Sequence, residues 1–221
     1  MTNVKFLGVH LQSNLQWNIH INEVAKQISK TIGIISRIKH TVPKSVLVML
    51  YKTLIEPYLT YALTVWGDSN AKTINRLNIL QKRVIRLITN SKYNAHTEPL
   101  FKKLNTLKLN DLFKYNCCKM YYKKLHSLLP AYHANLLQTN QEVQPNRLTR
   151  QSQYINIKAI SANYEKQSLN YKIGTIWNNL PEVIKISADC TYAKFSDTVK
   201  NHFLSQYSNT CLLQHCYICS T

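Results

Sequence analysis

Apolar residues recur at helical spacing through most of the chain, and the clearest run lies between residues 41 and 90. Pro43 is placed for a first helical turn, because its missing N–H would have no intrahelical partner there. Pro57 then removes one intrahelical donor and crowds the preceding turn. The pattern therefore predicts a helix that begins near Pro43, kinks or restarts near Glu56, and is followed by a second helix over 71–89.

The predicted helix over 71–89 divides into an apolar face and a basic face. Its expected core residues are Ile74, Leu77, Leu80, Val84, Ile85 and Ile88. The basic stripe on the other side consists of Lys72, Arg76, Arg83 and Arg86, with Lys82 beside it. At 100° per residue the four stripe residues fall within about 80° of one another. One side of this helix should therefore pack in a core while the other carries positive charge.

The same periodicity predicts further helices over 19–39, 110–128 and 193–207, and a short one over 172–186 that Pro181 breaks. The helix over 19–39 carries Lys26, Lys30 and Arg37 away from its apolar face. The fold class expected is mainly α, a helical bundle with a short N-terminal strand and a few short extended segments in the C-terminal part.

The N-terminal strand is predicted over 4–11, where strand-forming residues alternate loosely around Gly8. A lone strand is not stable in water. We therefore expect this strand to pair with a segment later in the chain or with a segment outside it.

The charge of the chain favours a polyanionic partner. Lys and Arg number 28 against 10 Asp and Glu, a formal charge of +18, and most of the excess lies before residue 126. Dispersed cations bind phosphates by releasing condensed counterions, so a phosphate-bearing polyanion is the expected partner. A merely solvated basic surface is the alternative interpretation.

The residues give little support for catalysis by this chain alone. Two-metal chemistry needs clustered carboxylates, whereas the acidic residues stand singly along the sequence. No serine lies in a glycine-flanked elbow. We expect no cofactor, no membrane span and no signal peptide, and hence a nuclear or cytoplasmic location with reduced thiols.

The C-terminal tail offers a weak candidate metal site. Cys211, His215, Cys216 and Cys219 are enough soft ligands for zinc. His215 and Cys216 are adjacent, however, and cannot easily point both side chains at one ion. A disordered cysteine-rich end is the alternative.

Several segments together resemble a known family. They are FLGVHLQSNLQWNIHI, LIEPYLTYALTVWG, RLNILQKRVIRLI, the pair Thr149–Arg150, YKIGTIWNNLPEVIK and KFSDTVKNHFL. In this order they resemble the C-terminal part of reverse transcriptases from non-LTR (LINE-type) retrotransposons, especially the jockey-like group. The resemblance covers nearly the whole chain, and the pieces around Trp66 and Trp177 are the most specific.

The resemblance implies a division into domains. It assigns 1–18 to the end of a polymerase palm, with the strand through Phe6 to Val9 closing it, and 19–130 to a helical thumb-like domain. A polar connector over 131–152, a C-terminal helical and extended region over 153–210, and the tail over 211–221 complete the division. The thumb of such polymerases holds the template–primer duplex by its backbone. The resemblance therefore implies that the partner is RNA, RNA–DNA hybrid or DNA backbone.

The chain departs from the family in its catalytic part. The aromatic-x-Asp-Asp motif of the palm has no counterpart here, nor do the fingers and the endonuclease domain, so we expect a fragment that is inactive alone although the full-length family enzyme would use Mg. Three hypotheses follow. The chain is a remnant that binds nucleic acid through its basic helices, a protein-interaction module that docks through Trp66, Trp177 and its Tyr-rich helix, or a relic that does not fold without the missing palm.

Overall fold

The structure is a computed structural model that describes residues 3–135, 137–147, 149–157 and 166–209. Its described part is mainly helical with one small antiparallel sheet, which confirms the predicted fold class. Two compact units are present: residues up to Leu112 together with those from Phe203 form the first, and Phe113–His202 form the second. The domain boundaries predicted at 18, 130 and 152 stay predictions.

The N-terminal segment is a hairpin rather than a single strand. β1 (Asn3–Phe6) and β2 (Val9–Gln12) pair antiparallel, with Phe6 opposite Val9. Leu7 and Gly8 form the two-residue turn with φ of 44° and 82°. Both residues thus adopt positive φ, as tight hairpin turns require. The prediction of one continuous strand over 4–11 was wrong, because leucine is not a turn-forming residue and hides the turn in the sequence.

Six helices follow in the first unit. They are α1 (Asn18–Ile38), α2 (Lys44–Leu54), α3 (Glu56–Thr60), α4 (Leu63–Trp66), α5 (Ala71–Thr89) and α6 (Glu98–Lys103). The predicted restart near Glu56 is confirmed, since α2 ends immediately before Ile55 and α3 carries Pro57 in its first turn. After Pro57 the helical period predicts an apolar face of Tyr58, Leu59, Ala62, Val65 and Trp66, and this prediction was partly wrong. Ala62 adopts a left-handed conformation with φ of 50°, which shifts the helical phase so that Leu63 is buried and Val65 is exposed.

The side-chain amide of Gln81 is buried in the core of the first unit. Gln81 donates from Nε2 to the Tyr51 hydroxyl and to the Leu107 carbonyl, at 2.9 and 3.0 Å, and its Oε1 accepts from the Leu109 N–H at 2.9 Å. Buried polar groups persist where all their partners are supplied, as here. Gln81 thereby ties α5 to α2 and to the segment that leads into the next helix, α7 (Leu109–Leu125).

The second unit contains most of α7, then α8 (Ala131–Ala134), α9 (Asn140–Val143), α10 (Leu169–Asn178), α11 (Glu182–Ile186) and most of α12 (Tyr192–Ser205), with a 3₁₀ turn at Ser187–Asp189. Its core is aromatic. Trp177 lies 4.4 Å from Tyr121 between ring centroids, and Tyr122 stacks on Phe195 at 4.7 Å. The break at Pro181 is confirmed, since α10 ends before it and α11 begins after it.

Both tryptophans proposed for a docking surface are buried. Trp66 has no exposed area and Trp177 is 4% exposed, each within its own unit. The hypothesis of a docking surface built from these two side chains was therefore wrong. Apolar packing explains them, because large aromatic side chains dominate core energetics.

The predicted connector over 131–152 contains ordered elements in its described residues. α9 begins with a capping box in which Glu142 N–H donates to Thr139 Oγ1 at 3.2 Å and Thr139 N–H donates to Glu142 Oε2 at 2.6 Å. Thr139 also forms an isolated antiparallel bridge with Ile155, a short extended piece of the predicted kind. Residues 158–165 of the predicted extended region lie outside the described residues. Within the described ranges, none of the helices has both the length and the apolar character needed to cross a bilayer.

Candidate nucleic-acid interface

The N-cap residue, the apolar period and the C-terminal residue of α5 all specify the same helix. Asn70 caps it, its Oδ1 accepting from the Lys72 N–H at 2.9 Å, and Asn90 ends it in a left-handed conformation with φ of 51°. Its buried side chains are Ile74, Leu77, Gln81, Val84, Ile85 and Ile88. The core face is as predicted except that Leu80 is only half-buried and Gln81 takes its place, which moves the face slightly around the helix.

Two side-chain hydrogen bonds show how α1 and α5 are aligned. Thr73 Oγ1 donates to Asn18 Oδ1 at 2.8 Å, and Arg76 Nη1 donates to Asn22 Oδ1 at 2.5 Å. The partners advance in the same direction along both helices, so α1 and α5 run parallel. The two bonds also mark the solvent side of the seam between the helices, since all four residues are exposed or half-buried.

Helical geometry then places the predicted cations on both sides of this seam. On α1, Lys26, Lys30 and Arg37 lie about 40 to 80° around the axis from Asn22 at 100° per residue. On α5, Lys72 and Arg83 lie within about 40° of Arg76 by the same arithmetic. All six side chains are exposed. We call the surface formed by Lys26, Lys30, Arg37, Lys72, Arg76 and Arg83 the basic surface.

The basic surface carries uncompensated charge. α5 has no acidic residue, and α1 has only Glu23. In the part of the chain that the structure describes, none of the six cations forms an ion pair. From Lys72 to Arg83 the charges span about 16 Å at 1.5 Å per residue. A surface of this kind raises the local potential and attracts polyanions.

Two of the predicted site residues stand apart from this group. Arg86 is half-buried, and its Nε donates to the Ala95 carbonyl at 2.8 Å, so it secures the loop after α5. Burial lowers the pKa of the Arg86 guanidinium, which nevertheless remains a cation at neutral pH. Lys82 is exposed but lies about 120° around α5 from Arg76 at 100° per residue. Their part in an interface stays a prediction.

The candidate metal ligands Cys211, His215, Cys216 and Cys219 lie outside the described residues. Among residues that the structure does describe, no group of three or more His, Cys, Asp or Glu is arranged to hold a metal ion.

Comparison with known proteins gives two curated matches. The chain is 25% identical over 125 residues to the "RNA-directed DNA polymerase from mobile element jockey" of Drosophila melanogaster, and 26% identical over 128 residues to the protein of the same description from Drosophila funebris. These alignments cover 55% and 56% of this chain and 14% of each relative. The chain is thus similar in sequence to RNA-directed DNA polymerases of jockey elements.

This similarity to jockey RNA-directed DNA polymerases confirms the resemblance drawn from the sequence segments over 55–56% of the chain, and not over nearly the whole of it as the segments indicated. The chain spans only about a seventh of the length of these relatives, since 14% of each is aligned. No protein-family model and no solved structure matches the sequence.

Sequence reasoning located the cations but missed the features that organise them. Asn18, Asn22 and Thr73 fix the alignment of the two helices, and polar residues of this kind on a solvated face give no signal of their partners. A cleft beside α1, around His20, was also missed, because it is assembled from three separate segments: the hairpin, α1 and the region of α3.

Proposed function

We propose that this chain binds the sugar–phosphate backbone of RNA or an RNA–DNA hybrid through the basic surface, without reading base sequence. The observation that carries the proposal is the set of six exposed cations on two parallel helices, none of which forms an ion pair within the described residues. Contacts from Lys and Arg to phosphates position a nucleic acid but carry no sequence information. The relatives' description as RNA-directed DNA polymerases supports a nucleic acid as the polyanion.

The proposal assigns binding and no catalytic step to this chain. A two-metal phosphoryl-transfer site needs carboxylates that share metal ions about 4 Å apart. The acidic residues are dispersed along the sequence, and those described form no cluster of this kind. We propose that α1 and α5 act as the thumb-like clamp that the resemblance to jockey-like reverse transcriptases implies for residues 19–130.

The test is fluorescence anisotropy of a labelled RNA–DNA hybrid titrated with the purified chain at several salt concentrations. Six phosphate contacts would give a log–log salt slope of about −5. The triple variant Lys26→Gln, Lys72→Gln, Arg83→Gln should weaken binding and flatten the slope by about 2 to 3 units. Hybrids of unrelated sequence should bind with equal affinity.

The matched control removes the same charge elsewhere in the first unit. Lys44, Lys52 and Lys103 are exposed and make no described side-chain interaction, so Lys44→Gln, Lys52→Gln, Lys103→Gln lowers the net charge by the same three units. The control triple should retain most of the slope. Equal loss in the two triples would show that only overall charge matters and would contradict an interface on α1 and α5. Circular dichroism of every variant shows whether the helices are retained.

A further inference from the structure

A cleft of about 560 Å³ lies in the first unit, next to the basic surface. Its walls come from the hairpin turn, from the N-terminal half of α1 and from α3. All three segments belong to the same compact unit. A cleft of this volume is within the range of small-molecule and cofactor sites.

An unsatisfied histidine lines this cleft. His20 is only 4% exposed, yet neither Nδ1 nor Nε2 has a hydrogen-bond partner. Its ring meets Trp66 edge-on at 5.5 Å and lies 6.4 Å from His10, whose Nδ1 is buried and equally unpartnered. A buried donor or acceptor left unpaired is unfavourable, so a group that enters the cleft and pairs with these nitrogens would be favoured there.

The rest of the lining indicates the chemistry of that ligand. Glu23 and Gln27 from α1 contribute a carboxylate and an amide, and neither makes a described side-chain hydrogen bond. Lys5 from β1 contributes an unpaired cation. Tyr58 and Tyr61 contribute two partly exposed phenol rings. Aromatic faces with amide, carboxylate and imidazole groups recognise unstacked nucleobases, and lysine recognises the attached phosphate.

The position of the cleft relates it to the basic surface. Glu23 in the cleft and Lys30 on the basic surface are seven residues apart on α1. They therefore share nearly one line along the helix, about 10 Å apart at 1.5 Å per residue. A strand lying on the basic surface has its next nucleotide within reach of the cleft.

We infer that this cleft takes a single unstacked nucleotide of the bound strand, with its base against His20 and Gln27. This inference rests on the proposed function, because the basic surface delivers the strand. Neutral imidazole offers one donor and one acceptor, and a base edge supplies the complement of both. The ligand class is thus a purine or pyrimidine nucleotide rather than a phosphate alone.

The test uses nucleoside monophosphates, which are too small to need the basic surface. Isothermal titration calorimetry of the whole chain with AMP, GMP, CMP and UMP should give saturable binding for at least one of them. NMR should show the His20 ring signals shifting in the same titration. Ribose 5-phosphate, which lacks a base, should bind at least ten-fold more weakly. Equal binding of ribose 5-phosphate would overturn the inference, as would no saturable binding to folded protein.

Substitutions at the rim of the cleft give a second measurement that does not require replacing the buried His20. Gln27→Ala and Tyr58→Ala should each weaken mononucleotide binding at least five-fold. Gln144→Ala and Tyr93→Ala, which remove the same side-chain types at exposed positions outside the cleft, should leave it unchanged. Rim variants that bind as tightly as the wild type would also overturn the inference.

The two proposals fail in distinguishable ways. If only the cleft inference is wrong, mononucleotides do not bind while the salt-dependent binding of the hybrid and its loss in the triple variant persist. If only the basic surface is wrong, mononucleotides still bind and lose affinity in the rim variants, but the triple variant binds the hybrid like its control. That second result would support a nucleotide site in the cleft but contradict binding of the strand to the basic surface.

Discussion

The Tyr61 hydroxyl donates a hydrogen bond to the carbonyl oxygen of Leu7, 2.5 Å away and 54 residues earlier in the chain. Leu7 is in the hairpin turn and Tyr61 follows α3, so this bond links two walls of the cleft. The Gly8 position lies against the same ring, since a Cβ there would be 3.7 Å from Tyr61 Cε1. A two-stranded hairpin is marginally stable by itself, and Tyr61 supplies an anchor outside it.

Replacing Tyr61 with Phe should loosen the hairpin without disturbing the helices. The change removes one partly exposed hydrogen bond, so the free energy of unfolding should fall by about 0.5 to 1.5 kcal/mol. Amide hydrogen exchange should accelerate in residues 3–12 and remain slow in α5. As a control, Tyr58→Phe, whose hydroxyl makes no described hydrogen bond, should exchange like the wild type. Equal acceleration in both variants would contradict an anchoring role for Tyr61.

Replacing Gln81 with Leu should destabilise the protein although leucine is apolar and of similar size. The change leaves the Tyr51 hydroxyl, the Leu107 carbonyl and the Leu109 N–H without their buried partner, at about 1 to 3 kcal/mol for each group. We expect a loss of about 3 kcal/mol or more in urea unfolding. Tyr51→Phe removes only one of these interactions and should cost about 1 kcal/mol. A Gln81→Leu variant as stable as the wild type would show that the amide network contributes nothing.

Protonation of His20 should destabilise the first unit in mild acid. Burial, and to a smaller extent the nearby His10, lower the pKa of His20 below its ordinary 6.5. Near pH 6 the unfolded chain therefore binds more protons than the folded chain, so stability falls as the pH decreases through 6.5 toward the folded pKa. The other titratable groups that line the cleft are Lys5, Glu23, Tyr58 and Tyr61. Of these groups, Glu23 carries a negative charge that would partly offset the destabilisation by protonated His20.

Urea midpoints at pH 7.5 and pH 5.5 measure this dependence. The difference between them should be smaller in His20→Phe than in the wild type. Burial also lowers the pKa of His202, and its contribution to the pH dependence of stability is the same in both proteins. Glu98 and Glu142 titrate in a lower window, because interactions with Lys108 and Lys124 hold their pKa values below 4.5. An unchanged difference in His20→Phe would contradict the burial of a neutral imidazole.

Two glycines in helices should respond in opposite ways to alanine. Gly33 in α1 has nothing within 4 Å of the site where a Cβ would stand, so Gly33→Ala should stabilise the protein by about 0.5 to 1 kcal/mol. At Gly174 in α10 a Cβ would stand 2.8 Å from Cγ1 of Ile157. Gly174→Ala should therefore destabilise by about 1 to 3 kcal/mol through overpacking. Thermal unfolding of the two variants measures both effects. Melting temperatures that both rise or both fall relative to the wild type would contradict this prediction.

Prediction from the sequence succeeded where several local signals agreed. The bounds predicted for α5, 71–89, are those of the structure, because a capping Asn70, an uninterrupted 3.6-residue period and Asn90 at the end all indicate the same helix. Prediction failed where one backbone angle decided the outcome. Leu7 and Ala62 both adopt positive φ, which neither residue type favours, and each changes the path of the residues after it.

The candidate site shows the same division. The cations of the basic surface were predictable, because a helical wheel requires only the residues of one helix. The seam between α1 and α5 and the cleft around His20 were not, because they depend on contacts between separate elements of the chain. Gln81 was missed for a related reason: a single polar residue in an apolar stripe is ambiguous until its three partners are known.

The parallel arrangement of α1 and α5 gives the basic surface a direction. Each helix carries a macrodipole equivalent to roughly half a positive charge at its N-terminus and half a negative charge at its C-terminus. In parallel helices these add, so the end near Asn18 and Lys72 gains positive potential, whereas Arg37 is partly offset by the negative pole beside it. The electrostatic attraction for a phosphate chain is therefore graded along the surface. A strand would be captured first at the Lys72 end and settle toward Arg37 afterwards.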